Sequence, residues 1–427
     1  MSNSCNRNAA ALRRLTLEEI VKTVLWVLCA ILVLWTGMLG SECRASELQL
    51  KLAVDRQYLL VDEPLLVRVT VTNRGKTEAG FQPAYLEPST SGVVFRITGP
   101  GESNYDWDPG IRDDYSPDPK RDVHLSPGES YSTKVDLTFN PGASDGKFLF
   151  HEPGVYKIAA RGSSFLASEP ITLYVNEPRD QDKLAHDALI EPVDKHRRTV
   201  VTYSEDIAHL EKLLRLYPNS VYARRARQQL ALTCFQQSGG GSYNTEMTES
   251  KKGMRRAAEL YSGLSLEKGL LAADAAIQSG LAYLAIHNLD DACEMLEAAL
   301  FSPDATTTDN LRALEQMQIM DSKVGALSPV RVPAQELARV FGLKYQWDPQ
   351  TSKAHITSDR VKATISVGAD DVFDLNGAKF AGVYSWDGNW KDGNLMLSPR
   401  AAAAIIAKHY QSAFLDHIIQ AAKTDKR

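Results

Sequence analysis

Cysteine is scarce in this sequence, with five residues in a chain of 427, so a small disulfide-stapled scaffold is excluded. Cys5 and Cys29 lie in or before an N-terminal apolar run, and Cys43 follows it. Cys234 and Cys293 both fall in helical patterns. They could pair in an oxidising compartment, or they could be two small apolar side chains of a core. The sequence leaves both alternatives open.

Long runs of one charge are also absent. The chain carries 48 Lys and Arg against 53 Asp and Glu, a net charge of −5, and no basic block stands out. Binding to nucleic acid depends on clustered positive charge, so we expect no nucleic-acid partner. With 44% apolar and 24% charged residues, the composition is that of a globular protein with room for about three domains.

Motifs of metal and redox chemistry are missing as well. The sequence contains no His-Glu-x-x-His and no Cys-x-x-Cys. His409 and His417 fall eight residues apart, roughly on one helix face, but two imidazoles without a third ligand make a weak metal site. We therefore expect a protein that is not an enzyme and that has no catalytic residue, bound metal or cofactor.

The longest apolar stretch is Thr23–Ser41, nineteen uncharged residues that as a helix would span roughly 28 Å, close to the apolar thickness of a bilayer. Arg13 and Arg14 precede it, so the positive-inside rule puts the first residues in the cytoplasm. Residues 1–46 are predicted to be either a signal peptide cleaved after Ala45 or a transmembrane helix that stays in the membrane. In both cases the rest of the chain is extracytoplasmic, in the periplasm or at the cell surface.

Residues 47–177 have the period-2 pattern of half-buried strands. Leu48, Leu50, Leu52 and Val54 alternate with polar residues and predict the first strand. Further strands are predicted at Leu65–Thr72, Val93–Thr98, Ser132–Phe139, Gly154–Ala160 and Pro170–Val175. Pro and Gly separate these strands, and short strands at such spacing indicate an antiparallel β-sandwich.

The turns of this region carry three motifs. They are Asp62-Glu63-Pro64, Leu125-Ser126-Pro127-Gly128-Glu129 and Pro153-Gly154-Val155-Tyr156. In these motifs the region resembles bacterial extracytoplasmic immunoglobulin-like modules, and the resemblance implies an all-β, immunoglobulin-like sandwich. The Cys…Trp…Cys spacing of antibody domains is absent.

An acidic loop, Asn104–Asp122, interrupts the strands and contains several aromatic residues. We single out Asp106, Trp107 and Asp108 as candidate binding residues, because clustered carboxylates can face a cation or a partner. No spacing in the loop fits a recognised calcium site. The alternative is a solvated loop that closes one end of the sandwich.

Residues 180–320 change to the composition and periodicity of helices. Ile207 to Tyr217 follows helical spacing before Pro218, and a further helix is predicted over Gly253–Leu264. The candidate binding residues of this region, which could equally be core side chains, are Tyr217, Tyr222, Tyr261 and Tyr283.

The later part of these helices shows a pattern of small and large residues. Small, aromatic, small, large and small residues occur in turn at Gly280, Tyr283, Ala292, Leu296 and Ala299. In this pattern the region resembles the tetratricopeptide repeat, in which small residues let two helices approach and the large one fills the gap. The resemblance implies stacked helix pairs, which offer a concave face to a peptide or act as a spacer.

Residues 328–423 are predicted to form two helices around short strands. Val332–Gly342 is a helix with Pro near its start and Gly at its end, and Leu343–Thr357 follows as strand, turn and strand. Gly393–Arg400 then introduces a second helix, Ala401–Ala422. In this order the region resembles the N-terminal stalk domain of copper amine oxidases, which implies a small α+β fold. No His-x-His pair is present, so neither copper nor a quinone is implied.

These patterns predict a multidomain protein of the bacterial cell envelope. We expect a non-catalytic binding or scaffold protein that contacts the membrane through its N-terminal helix, with an envelope protein or peptidoglycan as partner. The alternative is an inhibitor or modulator of an envelope hydrolase that acts through the sandwich loops.

Overall fold

Sheets and helices follow one another in three regions along the chain. The computed structural model describes residues 47–86, 92–102, 104–107, 122–139, 148–162, 165–195, 198–238, 248–324, 331–366, 372–381 and 395–410. The predictions for residues 1–46, for Asp108 and for most of the acidic loop lie outside these ranges. Within them, no helix has the length and apolar character needed to cross a membrane.

The first region consists of β-strands. They are β1 (Leu48–Val54), β2 (Tyr58–Leu60), β3 (Leu66–Asn73), β4 (Ala79–Phe81), β5 (Val93–Thr98), β6 (Asn104–Trp107), β7 (Val123–Leu125), β8 (Ser130–Asp136), β9 (Gly154–Gly162) and β10 (Ile171–Asn176). One sheet has the order β1-β3-β8 and the other the order β2-β10-β9-β5-β6, while β4 pairs with β7. Since β2 runs parallel to β10 and the other pairs are antiparallel, the five-stranded sheet is mixed.

The two larger sheets share one apolar core. Leu52 on β1 lies opposite Val69 on β3, and both side chains are buried. On the five-stranded sheet, Ile97 lies opposite Ile158, and these are buried as well. All four belong to one cluster of contacting side chains, and each contributes roughly 1.5–3 kcal/mol by leaving water.

Most predicted strands of this region are confirmed. β1 and β5 have the predicted bounds, Leu48–Val54 and Val93–Thr98. The prediction Ser132–Phe139 is displaced, because β8 ends at Asp136. The backbone N–H of Leu137 still donates to the carbonyl oxygen of Leu65 at 2.9 Å, and the pairing with β3 stops there, where the Asp136 carboxylate accepts the backbone N–H of Thr138 at 2.8 Å.

The second region is mainly helical. It contains α1 (Asp180–Leu189), β11 (Ile190–Lys195), β12 (Arg198–Tyr203), α2 (Ile207–Leu216), α3 (Val221–Gln237), α4 (Thr248–Ser265), α5 (Leu271–Ala285), α6 (Leu289–Leu300) and α7 (Thr307–Val324). From α2 onward each helix packs against the next. Residues directly before two of the helices cap their N-termini. The Asp206 side chain accepts the backbone N–H of Ala208 at 2.9 Å before α2, and the Ser220 hydroxyl accepts that of Tyr222 at 3.2 Å before α3.

The hairpin of β11 and β12 corrects the expectation that strands end before residue 180. Its register runs from Ile190 opposite Tyr203 to Lys195 opposite Arg198. The β-branched run 199–202, Thr-Val-Val-Thr, favours a strand over a helix. The helical composition on both sides of this short run concealed it.

Helices α5 and α6 approach closely at Gly280. A Cβ atom on this residue would lie 2.9 Å from Cγ of Leu296 and 3.3 Å from the carbonyl oxygen of Ala292. The side chains of Leu296 and Ala292 are fully buried. The predicted meeting of a small residue with a large one is therefore present in the packing.

Helix α7 begins against the outer face of the three-stranded sheet. The side chains of Thr306 and Asp309 accept hydrogen bonds from each other's backbone N–H groups. Asp309 also accepts a hydrogen bond of 2.6 Å from Nζ of Lys134 on β8. The guanidinium of Arg68 on β3 donates to the carbonyl oxygen of Asp304 at 2.7 Å. The helices thus cover one outer face of the sandwich, and the described residues from Glu47 onward group into one compact unit.

The third region combines a strand meander with two helices. It contains β13 (Val332–Pro333), α8 (Ala334–Val340), β14 (Lys344–Asp348), β15 (Lys353–Thr357), β16 (Lys362–Ser366), β17 (Val372–Leu375), β18 (Ala378–Ala381), β19 (Met396–Leu397) and α9 (Pro399–Tyr410). Strands β14 to β18 form an antiparallel sheet in chain order. β13 pairs with β19, with Val332 opposite Leu397, so the starts of the two helices are joined.

The predicted helix Val332–Gly342 is present but shorter, because Val332 and Pro333 form β13 and α8 spans Ala334–Val340. Pro333 precedes the helix, and Gly342 follows it with φ of +67°, a conformation that glycine adopts without strain. The backbone N–H of Leu343 returns to the carbonyl oxygen of Ala338 at 2.8 Å. For the second predicted helix, residues beyond Tyr410 lie outside the described chain.

Cys234 and Cys293 are free thiols in the structure, which therefore favours the second of the two alternatives for them. Cys234 lies 3% exposed in the core among the helices. Burial, assisted by the charge of Glu297, raises the pKa of the Cys293 thiol to about 11.

Candidate functional site

The outer face of the five-stranded sheet carries large exposed apolar side chains. Tyr58 is 66% exposed, Val155 49% and Tyr174 39%. The corresponding face of the three-stranded sheet is where α7 docks. Exposed apolar groups that lie together mark interaction surfaces more often than single ones do. We call the surface formed by Tyr58, Tyr174 and Val155 the tyrosine corner; the name refers to this surface and not to the β-sandwich turn motif known by the same term.

The two tyrosines of this corner stack on each other. Their ring centroids are 5.1 Å apart and their planes differ by 19°. The parallel pairing of β2 with β10 puts Tyr58 beside Tyr174, and the antiparallel pairing of β9 with β10 puts Val155 on its other side. Because side chains alternate along a strand, all three point to the same face.

Tyr58 lies at the edge of the sheet. β2 is the first strand in the order of the five-stranded sheet, so within the described part of the chain no strand pairs beyond it. One ring face of Tyr58 is turned to Tyr174, and the high exposure of the residue leaves the other to solvent. A flat apolar ring with a polar hydroxyl can stack on the apolar face of a ring-shaped ligand and donate a hydrogen bond to it.

Charged side chains continue from the tyrosine corner across the same face. Lys157 is exposed and follows Val155 by two residues on β9, while Arg96 lies on β5 and Arg161 near the end of β9. Asp106 of β6 lies between the two arginines: its Oδ2 is 2.9 Å from Nη2 of Arg161 and its Oδ1 is 3.8 Å from Nε of Arg96. The arginines are 54% and 58% exposed.

These residues form a diagonal stripe. Tyr174 lies opposite Val155, so Lys157 is its diagonal neighbour, and Lys157 lies opposite Thr98, so Arg96 is the next diagonal neighbour. Each diagonal step measures about 7–8 Å between Cα atoms. The stripe from Tyr174 to Arg96 is thus about 15 Å long, enough for several consecutive rings of an extended ligand.

Of the two candidate residues of the acidic loop that the structure describes, Asp106 is exposed in this face and Trp107 is not. Trp107 is 3% exposed, packs edge-on against Phe95, and donates its indole N–H to the carbonyl oxygen of Phe139 at 2.8 Å. Trp107 is therefore a core residue. Asp108 falls outside the described residues.

The four tyrosines predicted on the helices do not form one surface. Tyr222 is fully buried beside His186 and donates its hydroxyl to the carbonyl oxygen of Val61. Tyr261 is 5% exposed, and burial raises its pKa. Tyr217 and Tyr283 are half-buried and pack against separate clusters. Burial thus removes Tyr222 and Tyr261 from any binding surface.

Two further clusters of titratable residues join parts of the chain. In the His186 ring of α1, Nε2 lies 3.0 Å from the carboxylate of Asp62 and Nδ1 lies 3.2 Å from that of Asp187. The backbone of Asp62 is in the left-handed region, with φ of +58°. Nε2 of His409 in α9 lies 2.7 Å from Oε1 of Glu129. Both clusters link the sandwich to a helix. Across the described residues, no three His, Cys, Asp or Glu side chains converge as a metal site would require.

One sequence motif of hydrolases also falls outside the described residues. Residues 142–146 read Gly-Ala-Ser-Asp-Gly, the spacing of a nucleophile elbow. Such a serine sits between a strand and a helix, whereas this pentapeptide lies between strands β8 and β9. Its place in the chain therefore does not favour that role.

The residues of the tyrosine corner were missed by the sequence analysis. The sequence does indicate the exposure of Tyr174. Its neighbours Leu173 and Val175 are the apolar, buried positions of β10, so alternation along the strand places Tyr174 on the solvent-facing side. Tyr58 had no such signal. Its strand is three residues long, and its parallel partner is far away in sequence.

The sequence matches no protein-family model, and no curated protein matches it either. Among solved structures, the β-glucosidase EmGH1 from Erythrobacter marinus is 20% identical over 30% of this chain, with a TM-score of 0.19. This chain spans 15% of that enzyme. The CARDB domain of the PF1109 protein from Pyrococcus furiosus, in complex with di-metal ions, is 13% identical over 31% of this chain and 90% of its own, with a TM-score of 0.17.

Spo0M, a sporulation control protein from Bacillus subtilis, is 8% identical over 36% of this chain and 65% of its own, with a TM-score of 0.19. At such identities and TM-scores, these similarities establish neither the fold nor an activity of this chain.

Proposed function

We propose that this protein is a non-catalytic, extracytoplasmic binding protein of the bacterial cell envelope that holds a cell-wall glycan at its tyrosine corner. The observation that carries the proposal is the stacked, exposed pair of Tyr58 and Tyr174 at the edge of the sheet. A sugar ring extends this stack on the open face of Tyr58. The hydroxyl groups of the tyrosines then bond to the hydroxyl groups of the sugar.

The proposed location rests on the N-terminal sequence. The apolar run Thr23–Ser41 behind Arg13 and Arg14 supports export of everything that follows, with the run serving as anchor or as cleaved signal. An anchored protein with a glycan site would connect the membrane to the wall.

We also propose finer folds for the three regions. The two sheets with a common core support an immunoglobulin-like sandwich over residues 47–177. The consecutively packed helices and the contact of Gly280 with Leu296 support a tetratricopeptide-like region. The paired strand–Pro–helix junctions support a stalk-like domain over residues 328–423. In this proposal the second and third regions are a scaffold for the sandwich.

The alternative function, modulation of an envelope hydrolase, depends on the acidic loop. Residues 108–121 of that loop are outside the described chain, so no observation favours this alternative over glycan binding.

Sedimentation with insoluble peptidoglycan tests the proposed function. Full-length protein in detergent is mixed with purified sacculi, and the bound fraction is measured after centrifugation. We expect saturable binding that falls at least tenfold in Tyr58→Ala and in Tyr174→Ala, while Tyr58→Phe, which keeps the ring, retains most of it. Leu266→Ala serves as the control, because Leu266 is 84% exposed but belongs to the helical region.

Two results would contradict the proposal. One is wild-type protein that stays in the supernatant, and the other is binding that neither tyrosine substitution weakens. If an envelope protein binds instead in the absence of sacculi and Tyr58→Ala abolishes that contact, the corner recognises protein and glycan binding is rejected.

A further inference from the structure

We propose that the glycan is anionic, and that its carboxylate groups are bound by Lys157 and by the arginine pair Arg96 and Arg161. This inference rests on the proposed function, since the tyrosine corner supplies the stacking half of the same site. The diagonal stripe places the cations directly beside that corner. An extended glycan that stacks on Tyr58 and follows the stripe would pass over all three.

The charge on this face is unbalanced. Among the described residues, the carboxylate of Asp106 lies within 4 Å of both Arg96 and Arg161, and Lys157 pairs with no carboxylate, so three exposed cations face one anion. A flat surface with excess positive charge attracts a polyanion and raises its rate of association. Because the groups are solvent-exposed, the attraction weakens with salt.

Asp106 indicates which kind of anion the arginine pair accepts. Its two oxygens are turned to different guanidinium groups, one 2.9 Å from Arg161 and the other 3.8 Å from Arg96. A carboxylate therefore already fits between these arginines. Each guanidinium has five N–H donors in a planar fork, so donors remain for a second carboxylate that comes from the ligand.

The same arrangement makes Asp106 a competitor of the ligand. Its negative charge cancels part of the positive field, and its oxygens occupy donors that a glycan carboxylate would use. Removing that charge should therefore strengthen binding to an anionic glycan. A residue with only a structural role in β6 would not have this effect.

The test compares two forms of one polymer. Sacculi carry free carboxylates on the peptides attached to their glycan, and coupling these to a small amine with a carbodiimide gives neutral amides on the same polymer. Full-length protein in detergent is sedimented with both forms at low salt. We expect wild type to bind native sacculi about tenfold more tightly than amidated sacculi, as two or three exposed ion pairs allow.

The variants separate the two halves of the site. Lys157→Gln should weaken binding to native sacculi about threefold, and Lys157→Gln with Arg161→Gln about tenfold, with little change for amidated sacculi. Asp106→Asn should strengthen binding to native sacculi alone. Lys51→Gln is the matched control, because Lys51 is an exposed lysine on β1 of the other sheet.

The outcomes distinguish this inference from the proposed function. Equal binding to native and amidated sacculi, still sensitive to Tyr58→Ala, overturns the anionic ligand and leaves glycan binding intact. No binding to either form overturns both. Tighter binding to a soluble polyphosphate-type wall polymer than to native sacculi, lost in Lys157→Gln, would reject the carboxylate in favour of phosphate.

Discussion

Arg360 and Glu78 join the last region of the chain to the first, with Nη2 of Arg360 2.9 Å from Oε2 of Glu78. The guanidinium is 8% exposed and also donates to the carbonyl oxygens of His124 and His409. His124 in turn lies 3.1 Å from the other oxygen of Glu78. One buried cation thus holds β4, β7 and α9 together.

Replacing Arg360 should destabilise the fold strongly. In Arg360→Ala the two carbonyl oxygens lose their donor, and Glu78 loses its ion pair with the guanidinium but keeps its contact with His124, so we expect the free energy of unfolding in urea to fall by about 3 kcal/mol. The control is Arg339→Ala, which removes an exposed ion pair with Glu336 and should cost under about 1 kcal/mol. Equal losses in the two variants would show that the buried contacts of Arg360 add nothing.

Acid should weaken the same junction through Glu129. Burial acts to raise the pKa of Glu129, but hydrogen bonds from His409 and the Ser126 N–H, with the charges of His409 and Arg360, outweigh it and hold the pKa below its ordinary 4.5. The stability that this carboxylate contributes is therefore present above pH 4.5 and is lost as the pH falls through the lowered pKa.

Unfolding free energies measured between pH 3 and pH 6 would reveal this loss. The curve of Glu129→Gln should be flatter than that of the wild type across the acid range. Parallel curves would mean that Glu129 has the same pKa in the folded and unfolded chain.

A rise in pH should weaken the contact of α1 with the first region through His186. Burial lowers the pKa of His186, but its contacts with Asp62 and Asp187 outweigh burial and raise the pKa above 6.5. The contribution of the protonated ring is present below pH 6.5 and is lost as the pH rises through the raised pKa. Lys183 lies 3.4 Å from Asp187, and the Tyr222 ring packs against the His186 ring.

We expect Asp62→Asn to lower the pKa of His186 and to remove most of this pH dependence. Titration of the His186 ring by NMR checks the first effect, and thermal unfolding at pH 6 and pH 9 checks the second. An unchanged His186 pKa in the variant would exclude Asp62 as the cause.

Alanine should have opposite effects at two helical glycines. Gly280→Ala places a methyl group 2.9 Å from Cγ of Leu296, so we expect the free energy of unfolding to fall by about 1–3 kcal/mol, although alanine has the better helix propensity. A Cβ atom added to Gly263, near the end of α4, would have no atom within 4 Å. Gly263→Ala should therefore raise the free energy of unfolding by about 0.5–1 kcal/mol. Chemical denaturation of both variants measures the difference, and equal signs would contradict the close packing of α5 on α6.

How far the sequence predicts this protein depends on the range of the interactions concerned. Strand β5 and the helix between Pro333 and Gly342 follow from local patterns and were predicted, and the resemblance to the tetratricopeptide repeat implied the close approach at Gly280 and Leu296. The β11–β12 hairpin was missed because its β-branched run is short and lies within helical composition. Apart from the contact of Gly280 with Leu296, these features depend on residues that are close in sequence.

The candidate site depends on pairing between distant strands. Asp106 was selected for its loop, yet its partners Arg161 and Arg96 come from β9 and β5. Trp107 was selected with it, but the strand alternation that exposes Asp106 turns Trp107 into the core. The parallel register that sets Tyr58 beside Tyr174 has no local signature at all.

The antiparallel pairing of β1 with β3 has a mechanical consequence. β1 is the first described strand, and seven residue pairs, from Leu48 opposite Asn73 to Val54 opposite Val67, join it to β3. A pulling force that enters at Glu47 along the strand loads this ladder in shear, so its hydrogen bonds must yield together rather than open one after another. If a wall polymer is held on the five-stranded sheet, as we propose, this ladder would resist tension that is applied at Glu47.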